Sequence, residues 1–373
     1  MLRTLAAGLV LLAPALAQSD MLGVTLDGET WRVDGATNQI SQVGPSGFTT
    51  LDGLASTPWG TLYSIAAGDT LVVLDRQSGV GVALGAVNLA DVRALAFDAA
   101  SGLLFVVRDG ALAGGADALW TIDPVTLATQ EVGSTGRDGL HGLAFDPGGA
   151  LFGWDVGDGL GTGPGLVTVD VATGACTTVA PGLNNGAFYE FLTFREDGTC
   201  YVGSNLLCVV DLATGVESLV GNLFLSIRGL DPVLELGGTL GANYCAANAN
   251  STGRVARMLA HGSGAAAGPL TLRAIDLPRD QFGYFLVAAA QGFTPLAGGS
   301  QGNLCLSLPI GRFSQQIGNA GPAATLALDV DTQALPLTPA VAIQAGETWS
   351  FQSWYRDVGG TSNFTDGLEI TFL

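Results

Sequence analysis

His141-Gly-Leu-Ala-Phe-Asp-Pro147, Gly149-Ala-Leu-Phe-Gly-Trp-Asp155, Leu166-Val-Thr-Val-Asp170 and Val171-Ala-Thr-Gly-Ala-Cys-Thr-Thr-Val179 are four short apolar runs separated by turn formers. Runs of this length, bounded by Gly, Asp, Pro and Thr-Gly, predict strands joined by tight turns. The third run and its turn recur along the first two thirds of the chain. Thr30-Trp-Arg-Val-Asp34, Leu71-Val-Val-Leu-Asp75, Leu119-Trp-Thr-Ile-Asp123, Leu166-Val-Thr-Val-Asp170 and Leu207-Cys-Val-Val-Asp211 match position for position. An Asp that ends a strand accepts N–H groups of the following turn, and a Gly shortly after it supplies the left-handed position, so the motif marks a hairpin.

The five Asp residues lie 41, 48, 47 and 41 positions apart. A period of about 40–50 residues with four strands per unit is that of a β-propeller blade. The N-terminal unit has only three runs, Met21–Leu26, Thr30–Asp34 and Gln39–Val43. An isolated first-type run, Ser226-Ile-Arg-Gly-Leu-Asp-Pro232, follows the fifth unit. A C-terminal strand that completes the N-terminal blade closes the ring and removes an open sheet edge. The expectation is therefore an all-β chain: a five-bladed β-propeller over 18–236, with 226–236 closing the first blade, then a linker at 237–242 and a C-terminal β-sandwich at 243–373. The blades are 226–236 with 21–43, 50–86, 91–132, 139–180 and 187–220. An open array or a two-sheet sandwich is the alternative.

The composition agrees with many tight turns: Gly numbers 55 in 373 residues, about twice the usual share. The net charge is −19 and all 14 basic residues are Arg. With no basic stripe to neutralise phosphates, nucleic-acid binding is excluded as an expectation. Residues 1–17 read as a secretory signal, with Arg3, an apolar core from Leu5 to Leu12, and Ala15-Leu-Ala17 before the cleavage point. No run approaches the ~20 apolar residues of a membrane-spanning helix. The mature chain is thus expected to be exported, to the periplasm, envelope or extracellular space. Export makes the five cysteines disulfide candidates. Cys200 and Cys208 flank Gly203-Ser-Asn205, Cys245 and Cys305 lie in the last third, and Cys176 is left over. Spacing alone leaves these pairings open, and a two-residue turn puts Cys200 and Cys208 out of register.

The first strand of each unit lines the centre of a propeller. Two residues before its Leu stands a polar residue in every unit: Asp52, Arg93, His141, Glu190 and Arg228. Equivalent positions converge at one mouth of the channel, where they form either an ion-pair network or a ligand site with His141 as its titratable member. Two connections between second and third strands are long, Arg108–Asp117 and Trp154–Gly165; the latter carries Asp155 and Asp158 among alternating glycines. No D-x-D-x-D-G calcium loop accompanies them, so calcium has no motif behind it and no cofactor is expected.

After Glu235 the repeat stops. Ala256–His261, Leu270–Ile275, Gly283–Ala288, Asn303–Leu308, Ala324–Asp329, Thr348–Tyr355 and Leu368–Leu373 are strand-like runs of a sandwich. Gly298-Gly-Ser300-Gln-Gly302 fits the G-x-S-x-G elbow in letters, but a strand pattern follows where that elbow needs a helix. His261 has no visible Asp/Ser partner. Trp349 and Tyr355 share one strand face and Trp354 takes the other, a buried-core pattern on at least one side and a sugar-stacking candidate if the other is exposed.

Asn243-Tyr-Cys-Ala-Ala-Asn-Ala-Asn-Ser-Thr-Gly253, Leu270-Thr-Leu-Arg-Ala274, Gln281-Phe-Gly-Tyr-Phe-Leu286, Gly299-Ser-Gln-Gly-Asn-Leu-Cys-Leu306, Ile310-Gly-Arg-Phe313, Ala345-Gly-Glu-Thr-Trp-Ser-Phe-Gln-Ser-Trp-Tyr-Arg-Asp357 and Ser362-Asn-Phe-Thr-Asp-Gly-Leu-Glu-Ile-Thr-Phe372 together resemble a C-terminal module of planctomycete exported proteins. The resemblance implies an envelope or extracellular protein with a Cys245–Cys305 disulfide, and it implies no catalytic residue. Taken with the leader and the repeat, this leaves two leading functions, ahead of a purely structural spacer. One is a non-enzymatic platform for a protein or glycan partner. The other is a propeller hydrolase, lactonase- or glycosidase-like, working at Asp52, His141 and Glu190.

Overall fold

The structure is a computed structural model that describes residues 20–373 apart from 36, 68, 111–114, 158–162, 180–187, 196, 233–239 and 322. The leader at 1–17, Asp158 and residues 237–239 of the linker at 237–242 lie outside the described residues. Before Pro232 the chain forms five four-stranded antiparallel sheets. Sheet I is Ile227–Pro232, Met21–Thr25, Glu29–Val33 and Ile40–Pro45. Sheet II is Leu51–Ser56, Leu62–Ala66, Thr70–Leu74 and Gly81–Ala86. Sheet III is Val92–Phe97, Leu104–Arg108, Ala118–Ile122 and Thr129–Ser134. Sheet IV is Leu140–Phe145, Leu151–Asp155, Gly165–Val169 and Cys176–Thr178. Sheet V is Phe191–Phe194, Cys200–Gly203, Leu206–Val210 and Glu217–Asn222.

The repeated Asp acts in the turn between third and fourth strands. Asp75 Oδ1 accepts the N–H groups of Gln77 and Ser78 at 2.9 Å, and Asp211 Oδ1 those of Ala213 and Thr214 at 2.9 Å. Four residues after each Asp the backbone enters the left-handed region: Asn38, Gly79, Leu127, Gly174 and Gly215, with φ between 56° and 79°. Asn and Leu stand there in two units, so glycine is the easy solution at this position and not the required one.

Sheet I is assembled from both ends of the repeat region. Met21–Thr25 pairs with Glu29–Val33 on one side and Ile227–Pro232 on the other, with Gly23 opposite Leu230. The hydrophobic clusters lie between neighbouring sheets and follow a closed order. One joins sheets I and II (Leu22, Val24, Leu54, Val72), the next II and III (Tyr63, Ile65, Leu95, Val106), and another III and IV (Phe105, Leu119, Leu143, Val167). A fourth joins IV and V (Trp154, Leu166, Leu192, Val202), and the fifth V and I (Tyr201, Leu207, Met21, Leu230). The first strands also neighbour one another in that order, from sheet I to V and back to I. The arrangement is propeller-like. Each sheet buries both faces, which is why the strands read as near-continuous apolar runs.

Beyond residue 240 lies a separate group of sheets. Ala242–Tyr244, Gly367–Thr371, Thr348–Arg356, Phe282–Ala288 and Gly311–Arg312 form the path of a seven-stranded sheet, and Arg257–Gly262, Leu270–Ile275 and Leu326–Asp329 form a three-stranded one. Met258, Leu272, Phe285, Phe351, Tyr355 and Leu368 share the core between them, a sandwich-like packing. Cys245 and Cys305 form a disulfide. Trp349 is buried in this core with Tyr355, whereas Trp354 packs in a second cluster against Tyr284 at 5.2 Å.

Cys200 and Cys208, disulfide candidates whose pairing the spacing left open, do not pair with each other. Cys200 stands opposite Val210 and Cys208 opposite Val202, so the two thiols share a sheet face one diagonal apart and stay buried and free. A directly bridged pair needs the hairpin centred one residue earlier. Burial pushes the Cys200 thiol well above its usual range, and Cys176, also free, is pushed up to about 11.

The group of sheets past residue 240 packs against sheet II. Arg254 pairs with Asp75, Arg76 Nη2 lies 3.3 Å from Asp276 Oδ2, and the Arg273 guanidinium sits 3.5 Å over the Trp59 ring. His261 meets the same ring edge-on at 6.4 Å.

Candidate functional site

The five first strands have two ends, and they differ. At the N-terminal end of these strands stand Asp52, Arg93, His141, Glu190 and Arg228. Four of them form one chain of contacts. Arg228 Nε donates to Asp52 Oδ1 at 2.9 Å and its Nη1 to Glu190 Oε1 at 2.7 Å. The other oxygen of Glu190 meets His141 Nδ1 at 3.2 Å. Arg93 turns away to the second strand's end, where it pairs with Asp109 and lies 3.8 Å from Asp117. The side chains of His141 and Glu190 are 9% exposed, and those of Arg228 and Asp52 22% and 23%.

The long loops add carboxylates to this end. Asp117 is fully buried, accepts the N–H groups of Gly110 at 3.0 Å and Leu140 at 2.8 Å, and has its pKa raised by burial. Asp155 is buried likewise, accepts the Gly157 N–H at 2.8 Å and faces Arg137 Nε at 3.5 Å; burial again raises it. Neither side chain reaches outward as a loop ligand. They tie loop to sheet.

The residue after the ring position lets the strands come close. A Cβ on Gly142 would lie 2.2 Å from the Leu192 nitrogen, and one on Gly229 2.3 Å from the Leu54 nitrogen. One level further, Leu54, Leu95, Leu143, Leu192 and Leu230 surround a cavity of about 10 Å³ and are all buried. They close the centre.

Past the leucines the equivalent residues are Ala55, Ala96, Ala144, Thr193 and Asp231. Small side chains there leave room, and the strands open on a pocket of about 450 Å³. Leu54, Leu95 and Leu143 form its inner end; Phe97, Phe145 and Phe194 stand along its walls. Asp231 lies deep in it with part of its surface open. Its Oδ1 accepts the Thr193 hydroxyl at 2.8 Å and its Oδ2 the Ser56 N–H. Burial pushes this carboxyl up to about 6, against the hydrogen bonds from Ser56 and Thr193 that pull it down. Reading the repeat for polar residues in every unit missed Asp231. The available signal was the opposite one, a single charge in a position otherwise Ala, Ala, Ala and Thr.

Elsewhere, Ser300 Oγ donates to the Ser362 carbonyl at 2.8 Å and follows a short 3-10 turn, so no nucleophile elbow forms. Among the described residues no group of three or more His, Cys, Asp or Glu side chains is arranged to hold a metal ion, and no helix is long and apolar enough to cross a membrane.

No protein-family profile and no curated protein matches the chain. Among solved structures it is similar to a chain of a nidogen/laminin complex, at 15% identity and TM-score 0.41, over 58% of this chain and 85% of that one. It is also similar to TolB from Acinetobacter baumannii, at 14% identity and TM-score 0.39, over 68% of this chain and 60% of that one. The chain thus spans less than two thirds of the TolB length.

Proposed function

We propose that the protein is an exported, non-enzymatic binding platform. In this reading residues 18–236 are a five-bladed β-propeller, the segment after it is a linker, and 243–373 is the exported planctomycete-type module that fastens the propeller at the envelope or outside the cell. The ring of Asp52, Glu190, His141 and Arg228 is structural, and Arg93 belongs to a neighbouring ion-pair group. The single observation that carries this is that both oxygens of Glu190 are engaged, by His141 and by Arg228, while Arg228 is also held by Asp52. A general base or nucleophile has to keep an oxygen within reach of substrate, whereas the Glu190 side chain is only 9% exposed, with one oxygen against Arg228 and the other against His141. Among the described residues a pocket of about 450 Å³ lies at the other end, with Asp231 in its lining. A protein or glycan of the envelope is the proposed partner class.

The test is turnover. Lactone and glycoside panels are expected to show no hydrolysis above background by the wild type. Hydrolysis that disappears in folded His141→Ala or Glu190→Ala variants would overturn the reading in favour of a hydrolase.

A further inference from the structure

The 450 Å³ pocket at the end of the first strands has a size suited to a small ligand and walls made mostly of Leu, Ala and Phe. Its charged lining is one-sided. Asp98, Asp146 and Asp231 line it against a single guanidinium, that of Arg195. Arg195 Nη1 donates to the Tyr201 hydroxyl at 3.0 Å, and its guanidinium lies 4.7 Å from the centre of the Tyr201 ring, so that charge is directed into sheet V. Asp98 and Asp146 are held in the turns after their strands by N–H groups of Ala100, Ser101 and Ala150. They set a negative rim. Asp231 is different, because it lies among apolar walls and its hydrogen bonds come from neutral groups, the Thr193 hydroxyl and the N–H and hydroxyl of Ser56. A carboxylate accepts about four such bonds, so these three leave acceptor capacity over, and Asp231 lines the pocket.

We propose that this pocket binds a small organic cation, an ammonium or amidinium group on an apolar body, with the cation on Asp231 and the apolar part against Leu54, Leu95, Leu143 and Phe194. The assignment rests on the binding-platform reading and gives it a site and a ligand class. An anion would meet three carboxylates. A neutral ligand would fill the apolar volume but leave the buried charge without a counter-ion, whereas a cation in a low-dielectric site meets it at full strength. The C-terminal sheets stand beside this mouth, since Pro58 lines the pocket and the next residue, Trp59, carries Arg273.

The experiment uses the whole mature protein and three probes of one shape: benzylamine, benzyl alcohol and benzoate, titrated by calorimetry or by ligand-observed NMR. Benzylamine is expected to saturate with a Kd on the order of 1 mM, in keeping with its size. Benzyl alcohol and an Asp231→Asn variant are each expected to weaken binding about tenfold, the worth of one charge-assisted hydrogen bond. Should Asp231→Asn fail to fold, the order of the three probes on the wild type decides alone. Equal binding of benzylamine and benzyl alcohol overturns the cation assignment and leaves an apolar binding pocket. Preferred binding of benzoate overturns it outright, as does full benzylamine affinity in a folded Asp231→Asn variant. No saturable binding of any probe at concentrations about tenfold above that Kd also overturns it. The binding-platform reading falls on separate evidence, the hydrolysis panels.

Discussion

The two ends of the same five strands solve opposite problems. At one end, equivalent positions carry Asp52, Arg93, His141, Glu190 and Arg228, long side chains of both signs, and the closed order of the sheets brings them within reach of each other or of Asp109 and Asp117. At the other end the equivalents are three alanines, Thr193 and Asp231, which are too short to fill the centre and carry no opposite charge among themselves. Repetition of a backbone therefore does not repeat a function. Where side chains are long and complementary the centre becomes a brace; where they are short and of one sign it becomes a pocket.

The largest expected effect breaks the separation of the two ends. Gly142→Ala and Gly229→Ala each drive a Cβ to within 2.3 Å or less of a neighbouring backbone nitrogen, and backbone cannot step aside as a side chain tip can. Denaturation should show a loss of about 3 kcal/mol or more, or no folded protein. A variant of normal stability would mean that the first strands do not approach so closely.

The brace comes next. Arg228→Ala leaves Glu190 and Asp52 without their shared cation in a site only partly open to water, and should cost about 2–3 kcal/mol in urea unfolding, below the range for fully buried pairs. Glu190→Gln should cost less, because the amide oxygen still accepts from Arg228. If neither variant moves the unfolding midpoint, the ring is not a brace and the contrast between the ends fails.

The smallest effect is at the pocket and depends on pH. Asp231 is raised from 3.8 to about 6 by burial, so below about pH 4 folded and unfolded chains both hold the proton, and between the two values the folded chain holds it more tightly. Stability from this group is therefore lost as pH rises from about 4 through about 6, and is flat above that. Asp231→Asn should remove this fall and raise the midpoint near pH 8 by the equivalent of about 1–2 kcal/mol, discounted for the part of the carboxylate open to the pocket. Asp366, raised by burial to about 7, should leave a residual decline of the same sign in that variant. Thermal unfolding from about pH 4 to 8 measures both.

Much of the architecture was legible because it is local. The Asp at the end of each third strand and the left-handed residue four positions on mark the hairpins without help from the rest of the chain, and the five sheets fall where those marks put them. The polar position was legible for the same reason, by lining up the leucines. The cysteines show where local reading ends. Cys200 and Cys208 flank a short turn, yet pairing depends on a shift of one residue in the hairpin centre, which the intervening Gly203-Ser204-Asn205 does not fix. Asp231 was passed over because it follows the pattern of no other unit.

The sequence alone determined the period, the strand type, the turn chemistry and the exchange of a C-terminal strand into the first sheet, since each is set by residues close in the chain or by their recurrence. Only the tertiary structure decided which partners the ring residues take. Arg228 reaches both Asp52 and Glu190, 176 and 38 positions away, because the ring order makes sheets V and II the two neighbours of sheet I. The same closure decided that one end of the centre is filled with paired charge and the other is left open, for space among side chains exists only once all five strands stand around it.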